Sequence, residues 1–379
     1  MGKRILAALL CVFMAAVLLP KTARAAGETE MDVSKGNITI GPTAVIGMDS
    51  NGDPVNSNLN SNGYIITNSD PNVSTTHTIS VSATTQLVKI TLDGVNIDAP
   101  SDGQSALDMM VGTHVTLTLA DGSMNKLSSS SLCAGIHVPM SATLIIRGSG
   151  TLEATAEKRG AGIGGNGANN DRNCGSVIIN SGTVKATGGS FGAHGGAGIG
   201  GAGSGTNDGT AGSGGTITIN GGVVTAAGSN LSAGIGGGGA GSVGVSASGV
   251  GGEGGSIKIN GGTVSARNGY SSSYAASQYG AAIGGGALST GPTTSTRTDG
   301  SVDLSGYARY EWKHDDAITL PAAFQKMPYP DNLQNAPGWT IIRPMPDVPK
   351  TGDDTPTALL AGLALLSGAI LLLRRRRAH

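Results

Sequence analysis

A phrase of alanine, glycine and isoleucine recurs between residues 161 and 287 and constrains the fold more than any other feature. Its copies read AGIGGNG, AGIGGAG, AGIGGGG and AAIGGGA, starting at Ala161, Ala197, Ala233 and Ala281. A second phrase alternates with it at steps of 40 residues, as GSVIINSGTVKATG, GTITINGGVVTAAG and GSIKINGGTVSARN from Gly175, Gly215 and Gly255. Self-similarity at a fixed period predicts a solenoid, in which each repeat is one coil stacked on the last.

Inside the second phrase, apolar residues alternate with variable ones, which indicates strands with one buried face. Val177 and Ile179 keep apolar equivalents in the following repeats, whereas Ile178 is replaced by Thr and Lys. Weaker copies extend both series. With them included, the second phrase aligns at Ile90, Leu117, Leu144, Val177, Ile217, Ile257 and Val302. The AGIGG phrase aligns at Leu107, Ile136, Ile163, Ile199, Ile235 and Ile283. The expected fold is all-β, a parallel β-helix of about seven or more coils, right-handed as parallel crossovers generally are.

Each coil is expected to hold three short strands in about 23 residues, with Asn180, Asn220 and Asn260 stacked as a ladder at one turn. One connection varies while the rest of the coil stays constant: the gaps from the AGIGG phrase to the next strand phrase are 10, 8, 14, 18, 22 and 19 residues. Insertions in a solenoid map to loops on one side, often the binding side.

The insertions carry the candidate binding residues. Asp171, Asp208 and Glu253 each stand near the end of one insertion and would form a weak calcium site if neighbouring loops stacked their carboxylates; isolated solvated charges are the alternative. Tyr270, Tyr274 and Tyr279 are the one aromatic group of the repeat region, able to stack on sugar rings or to belong to an ordinary solvated loop. No other cofactor is indicated.

Both termini contain targeting segments. Residues 1–25 have a basic start, an apolar stretch and the A-x-A site Ala23-Arg24-Ala25, which predicts a cleaved signal peptide. Residues 348–379 hold VPKTG, an apolar segment and four arginines, and so resemble the cell-wall sorting signal of Gram-positive surface proteins. The resemblance implies that a sortase cuts between Thr351 and Gly352 and joins Thr351 to peptidoglycan. Val348 and Pro349 complete the motif, with Val in place of the usual Leu.

Between these signals the sequence divides into three further parts. Residues 26–86 are expected to form an N-terminal cap with the first strands, including a loop at 49–63 rich in Asn, Ser and Gly. Residues 87–306 form the β-helix. Residues 307–343 concentrate large aromatic rings that can cover the last coil, and a Pro-rich spacer at 344–347 leads to the anchor. The apolar segment near the C-terminus would hold the precursor in the membrane before sorting.

Charge and motif content exclude several functions. Without residues 1–25 and 352–379, which carry eight of the 24 basic and two of the 25 acidic residues, the net charge is about −7 and disfavours nucleic acid. The G-x-G-x-x-G matches in the AGIGG phrase follow from composition and lack a βαβ unit. The histidines stand singly and are expected at the surface or in turns. Cys133 and Cys174 either form a disulfide or fill the core as free residues.

The segment from Leu87 to Ala161 contains VKITLDGVNI, SALDMM, VTLTLADGSMNKL, CAGIHV, ATLIIRGSGTLEAT and GAGIGG. It resembles a family of bacterial surface proteins that are carbohydrate-binding right-handed parallel β-helices, some of which bind acidic polysaccharide with calcium. The resemblance covers about residues 32 to 310 and rests on the pattern of the repeated phrases. It implies the fold and a carbohydrate or host-surface partner, and it transfers no binding residue.

Three functions follow from these patterns. The first is a secreted, wall-anchored protein that binds carbohydrate or a host or wall surface without catalysis, through loops of the β-helix. The second is a polysaccharide lyase on the same fold, although acids and bases are sparse in the sequence. The third is a passive structural protein of the wall.

Overall fold

A computed structural model describes residues 27–82, 86–100, 103–167, 171–192, 194–205, 209–240, 249–269, 279–287, 300–315, 325–326 and 338–345. The chain divides into a compact unit that ends at Pro344 and a second unit, Met345–His379. Apart from Met345, the second unit lies outside the described residues, as does the predicted signal peptide with Ala23 and Ala25. The sorting residues Val348, Pro349, Thr351 and Gly352 lie outside them too.

The regular elements of the described residues are short strands. In chain order they are β1 (Thr29–Asp32), β2 (Ile38–Ile40), β3 (Ala44–Met48), β4 (Pro54–Asn58), β5 (Tyr64–Thr67), β6 (Ile79–Val81), β7 (Leu87–Asp93), β8 (Asn96–Ala99), β9 (Leu107–Met109), β10 (His114–Leu119), β11 (Met124–Ser129), β12 (Ile136–His137), β13 (Thr143–Gly148), β14 (Thr151–Ala156) and β15 (Ile163–Gly164). They continue with β16 (Ser176–Ile179), β17 (Thr183–Thr187), β18 (Ser190–Phe191), β19 (His194–Gly195), β20 (Ile199–Gly200), β21 (Thr216–Ile219), β22 (Val223–Ala227), β23 (Ile235–Gly236), β24 (Gly255–Ile259), β25 (Thr263–Arg267), β26 (Ile283–Gly284), β27 (Gly300–Asp303), β28 (Tyr310–Asp315), β29 (Gln325–Lys326) and β30 (Trp339–Pro344).

Three long sheets run along the stack of coils, as a right-handed parallel β-helix requires. The first sheet has the order β1-β5-β7-β10-β13-β16-β21-β24-β27, and every pairing in it is parallel. The second sheet is parallel from β8 to β25, and the third is parallel from β2 to β26. The predicted fold is therefore confirmed.

Inward-facing aliphatic residues stack along the axis and form one continuous core. In the third sheet Leu107, Ile136, Ile163, Ile199, Ile235 and Ile283 pair in the predicted order and are all buried. In the first sheet the predicted alignment is displaced at one step, because Leu117 pairs with Ile146 and not with Leu144. A displacement of two residues preserves the alternation of the strand, so the same side chains still point inward.

Two further predictions about the coil can be compared with the structure. The Nδ2 group of Asn220 donates to Oδ1 of Asn180, and Nδ2 of Asn260 donates to Oδ1 of Asn220, each at 2.8 Å. The expected asparagine ladder is therefore present. Cys133 and Cys174 are both buried and are not joined by a disulfide, which decides between the two alternatives. Burial raises the pKa of the Cys174 thiol to about 12.

The two ends of the stack differ from regular coils. At the N-terminal end β1 and β5 extend the first sheet, and β2 and β6 extend the third sheet. The loop expected at 49–63 was wrong in part, because Pro54–Asn58 forms β4, which pairs antiparallel with β3. Asn and Ser are poor strand formers, and the pairing with β3 overrides that preference. At the C-terminal end β30 pairs antiparallel with β25, and β28 pairs with β30.

The bases of the insertions are packed tightly against the coils. The backbone N–H of Gly212 donates to Ala202, that of Gly238 to Gly212 and that of Gly252 to Gly238. Segments leaving the third sheet thus alternate along the axis with segments returning from the insertions. A Cβ atom on Gly252 would lie 1.8 Å from the carbonyl oxygen of Gly212, so this interleaving requires glycine. The glycine-rich composition of the insertion bases is therefore structural.

Candidate functional site

A cavity lies where the first long insertion meets the earlier coils, whose corresponding connections are short. Asn166 and Asp171, which follow β15, lie beside residues of β9 and β12 and residues that follow these strands. The cavity measures about 280 Å³. It is lined by Gly103, Asp108, Met109, Met110, Val111, Cys133, His137, Pro139, Asn166 and Asp171. We call it the His137 cavity.

A buried histidine joins two carboxylates from different coils in this cavity. Nδ1 of His137 lies 2.6 Å from Oδ1 of Asp108, and Nε2 lies 3.1 Å from Oδ2 of Asp171. The second contact is an ion pair whose angles depart from those of an aligned hydrogen bond. The imidazole is 7% exposed, whereas the two aspartate side chains are 43% and 39% exposed. One residue is thus fixed inside while its partners stay open to solvent.

The register of the third sheet explains this arrangement. His137 pairs with Asp108 on one side and with Gly164 on the other, one position after the inward isoleucine stack. In the coils with long insertions this position is glycine, at Gly164 and Gly200, where it allows close packing of the next coil. The coils with short connections can carry a side chain there, and Asp108 and His137 occupy it.

The electrostatics of His137 favour its protonated form. Burial by itself lowers the pKa of the imidazole, but the hydrogen bond to Asp108, the close contact with Asp171 and the negative charges of both carboxylates outweigh it, so the pKa of His137 is raised above its usual value. An imidazolium between two carboxylates leaves the three residues with a net charge of −1. Because both ring nitrogens face carboxylates, the imidazole has no free nitrogen to offer as a base.

A second concave surface continues along the same corner. It has a volume of about 380 Å³, and its lining consists of Met140, Ser141, Ala142, Thr143, Asn173, Cys174, Gly175, Ser176, Ser213, Gly215 and Thr216. Hydroxyl groups from three successive coils therefore face one hollow on the insertion side. Pro139 of the His137 cavity and Met140 of this hollow are consecutive residues, so the two concavities are neighbours.

Two of the three residues predicted to bind calcium lie among the described residues. Asp171 contacts His137, whereas Glu253 is exposed and its backbone carbonyl accepts from Gly214. Asp208 lies outside the described residues. Within the described part of the chain, no group of three or more His, Cys, Asp or Glu side chains is arranged to hold a metal ion.

The structure describes one of the three tyrosines that were predicted to contact sugar rings. Tyr279 is buried and packs with Leu231 and Ala287 in a small cluster beside the main core. Tyr270 and Tyr274 lie outside the described residues. Burial of Tyr279 in this cluster removes most of its ring from any ligand.

Sequence reasoning missed the pairing of Asp108 with His137, and the expectation that the histidines are surface or turn residues was wrong for His137 and His194, which are buried. The signal was available in the repeat alignment. Asp108 follows Leu107 and His137 follows Ile136, where later copies have glycine after isoleucine. Adjacent coils place such equivalent positions side by side.

Comparison with known proteins gives two matches. The beta helix repeat family matches residues 144–167, 217–239 and 257–287. The LPXTG cell wall anchor motif matches residues 349–379, beginning one residue after Val348, where the pentapeptide departs from the usual Leu. No protein with curated annotation and no solved structure matches the chain.

The anchor motif implies processing by a sortase and attachment to peptidoglycan. The described residues contain no helix of the length and apolarity needed to cross a membrane, and the predicted apolar segment near the C-terminus lies outside them. The repeat family agrees with the three parallel sheets. The chain is a β-helix surface protein of the Gram-positive type, anchored to the cell wall through a C-terminal LPXTG-type sorting signal.

Proposed function

We propose that the protein is exported by a signal peptide at residues 1–25 and binds carbohydrate, without converting it, in the His137 cavity on the insertion side of the β-helix. The observation that carries this proposal is the pair of half-exposed carboxylates, Asp108 and Asp171, that one buried histidine holds across a cavity of about 280 Å³. That volume lies near the lower end of those of small-molecule sites, about 300 Å³.

The chemistry of the lining suits a polyol. Oδ1 of Asp108 and Oδ2 of Asp171 face His137, and within the described residues the other oxygen of each carboxylate has no hydrogen-bond donor. Sugar hydroxyl groups are strong donors to such oxygens, and hydrogen bonds to charged groups are the stronger class. Met110 and Val111, which are 53% and 62% exposed, offer apolar surface to the C–H face of a sugar ring.

The same geometry supports binding over catalysis. A lyase needs an unengaged base together with cationic or metal stabilisation of the sugar carboxylate. His137 has a carboxylate at each ring nitrogen, so a base would first have to break one of these contacts. An assay for unsaturated products on polyuronates tests the lyase alternative, and product formation that is lost in His137→Gln would establish that alternative.

Binding can be tested with a glycan array followed by calorimetry on the processed protein. Asp108→Asn removes the charge of a cavity carboxylate, and Asp121→Asn removes the charge of an exposed aspartate in the turn between β10 and β11. We expect Asp108→Asn to weaken binding of a neutral glycan about tenfold, in line with a hydrogen bond to a charged group, and Asp121→Asn to leave it unchanged. Equal affinities in both variants, or an array without any bound glycan, would refute the proposal.

A passive structural role makes a different prediction. If the protein is only a wall component, cells that display Asp108→Asn and wild-type chains will capture the same amount of every labelled glycan. Capture of a glycan by wild-type cells alone excludes the passive role.

A further inference from the structure

Two arginines with no acidic partner lie close together beyond the third sheet. Arg159 precedes β15, and Arg172 belongs to the insertion that follows it. The positive charge of Arg172 acts on Arg159: burial first, and then this charge, lower the pKa of the Arg159 guanidinium. Neither guanidinium forms an ion pair with any carboxylate of the described chain.

The acidic residues next to these arginines in sequence are engaged elsewhere. Glu157 accepts the backbone N–H of Ser131 at 2.8 Å, and Asp171 contacts His137. Two like charges have therefore been brought together in a protein whose overall charge is negative. Surface arginines usually meet carboxylates or point into solvent, so this pairing is unfavourable without a negative partner.

The polar groups of the two arginines are only partly satisfied. Nη1 of Arg159 donates to the carbonyl oxygen of Gly205 at 2.7 Å, and Nη1 of Arg172 lies 3.5 Å from that of Thr210. The Nε atom of each is shielded from solvent and has no hydrogen-bond partner among the described residues. A buried donor without an acceptor is destabilising, and an anion would supply one.

The side chains of Arg159 and Arg172 both lie against Gly205. Its carbonyl oxygen accepts from Arg159, and a Cβ atom at Gly205 would lie 2.4 Å from Nη2 of Arg172. Any larger residue would displace that guanidinium. The site thus spans two coils, with its arginines from one insertion-bearing coil and its glycine from the next.

An aromatic ring completes the surface. Phe191 is the last residue of β18 in the β18–β19 hairpin, and it is 48% exposed. The Arg159 guanidinium carbon lies 4.7 Å from the centre of its ring. Such stacking orients the guanidinium and leaves exposed aromatic surface beside it, which is the usual platform for a sugar ring.

We propose that Arg159, Arg172 and Phe191 form an anion site that binds the sulfate or phosphate ester group of a glycan. A tetrahedral ester offers three or more oxygens and can meet two guanidinium forks, whereas a carboxylate has two oxygens and satisfies one fork. The bound group is a direct ligand of the arginines and needs no calcium. None of these three residues lines the His137 cavity, so the anion site does not rest on the function proposed for that cavity.

The test measures binding of polymers to the processed protein in the presence of a chelator. Dextran sulfate and dextran phosphate, both monoesters with three terminal oxygens, supply the two esters. Dextran supplies the uncharged chain, and polygalacturonate supplies carboxylates. The variants are Arg159→Gln, Arg172→Gln and Phe191→Ala. Arg147→Gln is the matched control, because Arg147 is exposed on the first sheet and donates to Thr118 outside this site.

We expect at least one ester polymer to bind, and which of the two binds identifies the ester. Each site variant should weaken that binding about tenfold, since hydrogen bonds to charged groups are the stronger class, and Arg147→Gln should change it less than twofold. Arg159→Lys keeps the positive charge but lacks the planar guanidinium, and it should also weaken binding. This variant tests the site even if a glutamine variant does not fold.

Several results would overturn the anion site. Equal losses in Arg147→Gln and Arg159→Gln would mean that general charge attraction explains the binding. Polygalacturonate binding as tightly as the esters would refute the choice of a tetrahedral group, and the absence of ester binding would refute the site itself. Asp108→Asn should leave ester binding intact, which separates this site from the His137 cavity.

Discussion

Replacement of Gly200 by alanine tests whether the AGIGG phrase is a packing element of the coil. Gly200 has a φ of +137°, and a Cβ atom there would lie 2.0 Å from the carbonyl oxygen of Gly236 in the next coil. Real Cβ atoms essentially never come closer than 3.0 Å to such an atom, so the two coils must separate locally by about 1 Å.

The affected carbonyl also accepts a backbone hydrogen bond. The N–H of Gly201 donates to the oxygen of Gly236 at 2.8 Å, and a displacement of about 1 Å would stretch this bond beyond its useful range. Strain from an unfavourable φ contributes about 1–3 kcal/mol, and a buried polar group without its partner about 1–3 kcal/mol. Gly200→Ala should therefore lower the free energy of unfolding by about 2–5 kcal/mol.

Gly192 provides the matched control. It has a φ of +62°, and no atom lies within 4 Å of the position that a Cβ would take, so alanine there meets the conformational penalty alone, about 1 kcal/mol. Urea unfolding of the three proteins measures the difference. If Gly200→Ala is no less stable than Gly192→Ala, the close approach of the coils is not a steric constraint, and the assignment of the AGIGG phrase to the core is wrong.

Three other perturbations have defined outcomes. Because the pKa of His137 is raised, its contribution to stability is complete below about pH 6.5 and is lost as the pH rises through the raised value; urea unfolding should show this decline in the wild type and a flatter profile in His137→Gln. Asn220→Ala removes two ladder hydrogen bonds and should lower the unfolding free energy by about 1 kcal/mol, whereas a change no larger than in an exposed Asn51→Ala control would contradict the ladder's contribution. Thr351→Ala should abolish covalent attachment to peptidoglycan, as measured by the protein left in the wall after detergent extraction; undiminished wall protein would place the cleavage site elsewhere.

The coil could be predicted from the sequence because its determinants are local and repeated. The inward positions of the third sheet, such as Ile163 and Ile199, are identical in successive copies, and stacking in register buries them all. The misaligned step at Leu117 arose because two inward residues per strand look alike in a weak copy. Only pairing with Ile146 across the coils distinguishes them.

The candidate sites were harder to predict because they occur where the repeat changes. Asp108 and His137 stand at a position that is glycine in later copies, and the contact of His137 with Asp171 depends on an insertion that the repeat does not specify. Arg159 and Arg172 are separated by a whole strand and turn of sequence, and only the path of that insertion brings their charges together. Neither the contact between His137 and Asp171 nor the approach of the two arginines has a periodic signature.

The same step in insertion length accounts for both sites. Coils with short connections can keep side chains beside the isoleucine stack, as His137 does, whereas coils with long insertions must keep glycine there to accommodate the returning backbone. Where the backbone returns from an insertion, its glycines pack directly against the neighbouring coils, and this packing leaves no space for a ligand. At the first insertion, Asp171 contacts His137, and the guanidinium of Arg172 lies against Gly205. The change from short to long connections near residue 165 thus separates the acidic cavity that we propose for carbohydrate from the basic surface that we propose for anions, and the consecutive residues Asp171 and Arg172 belong one to each.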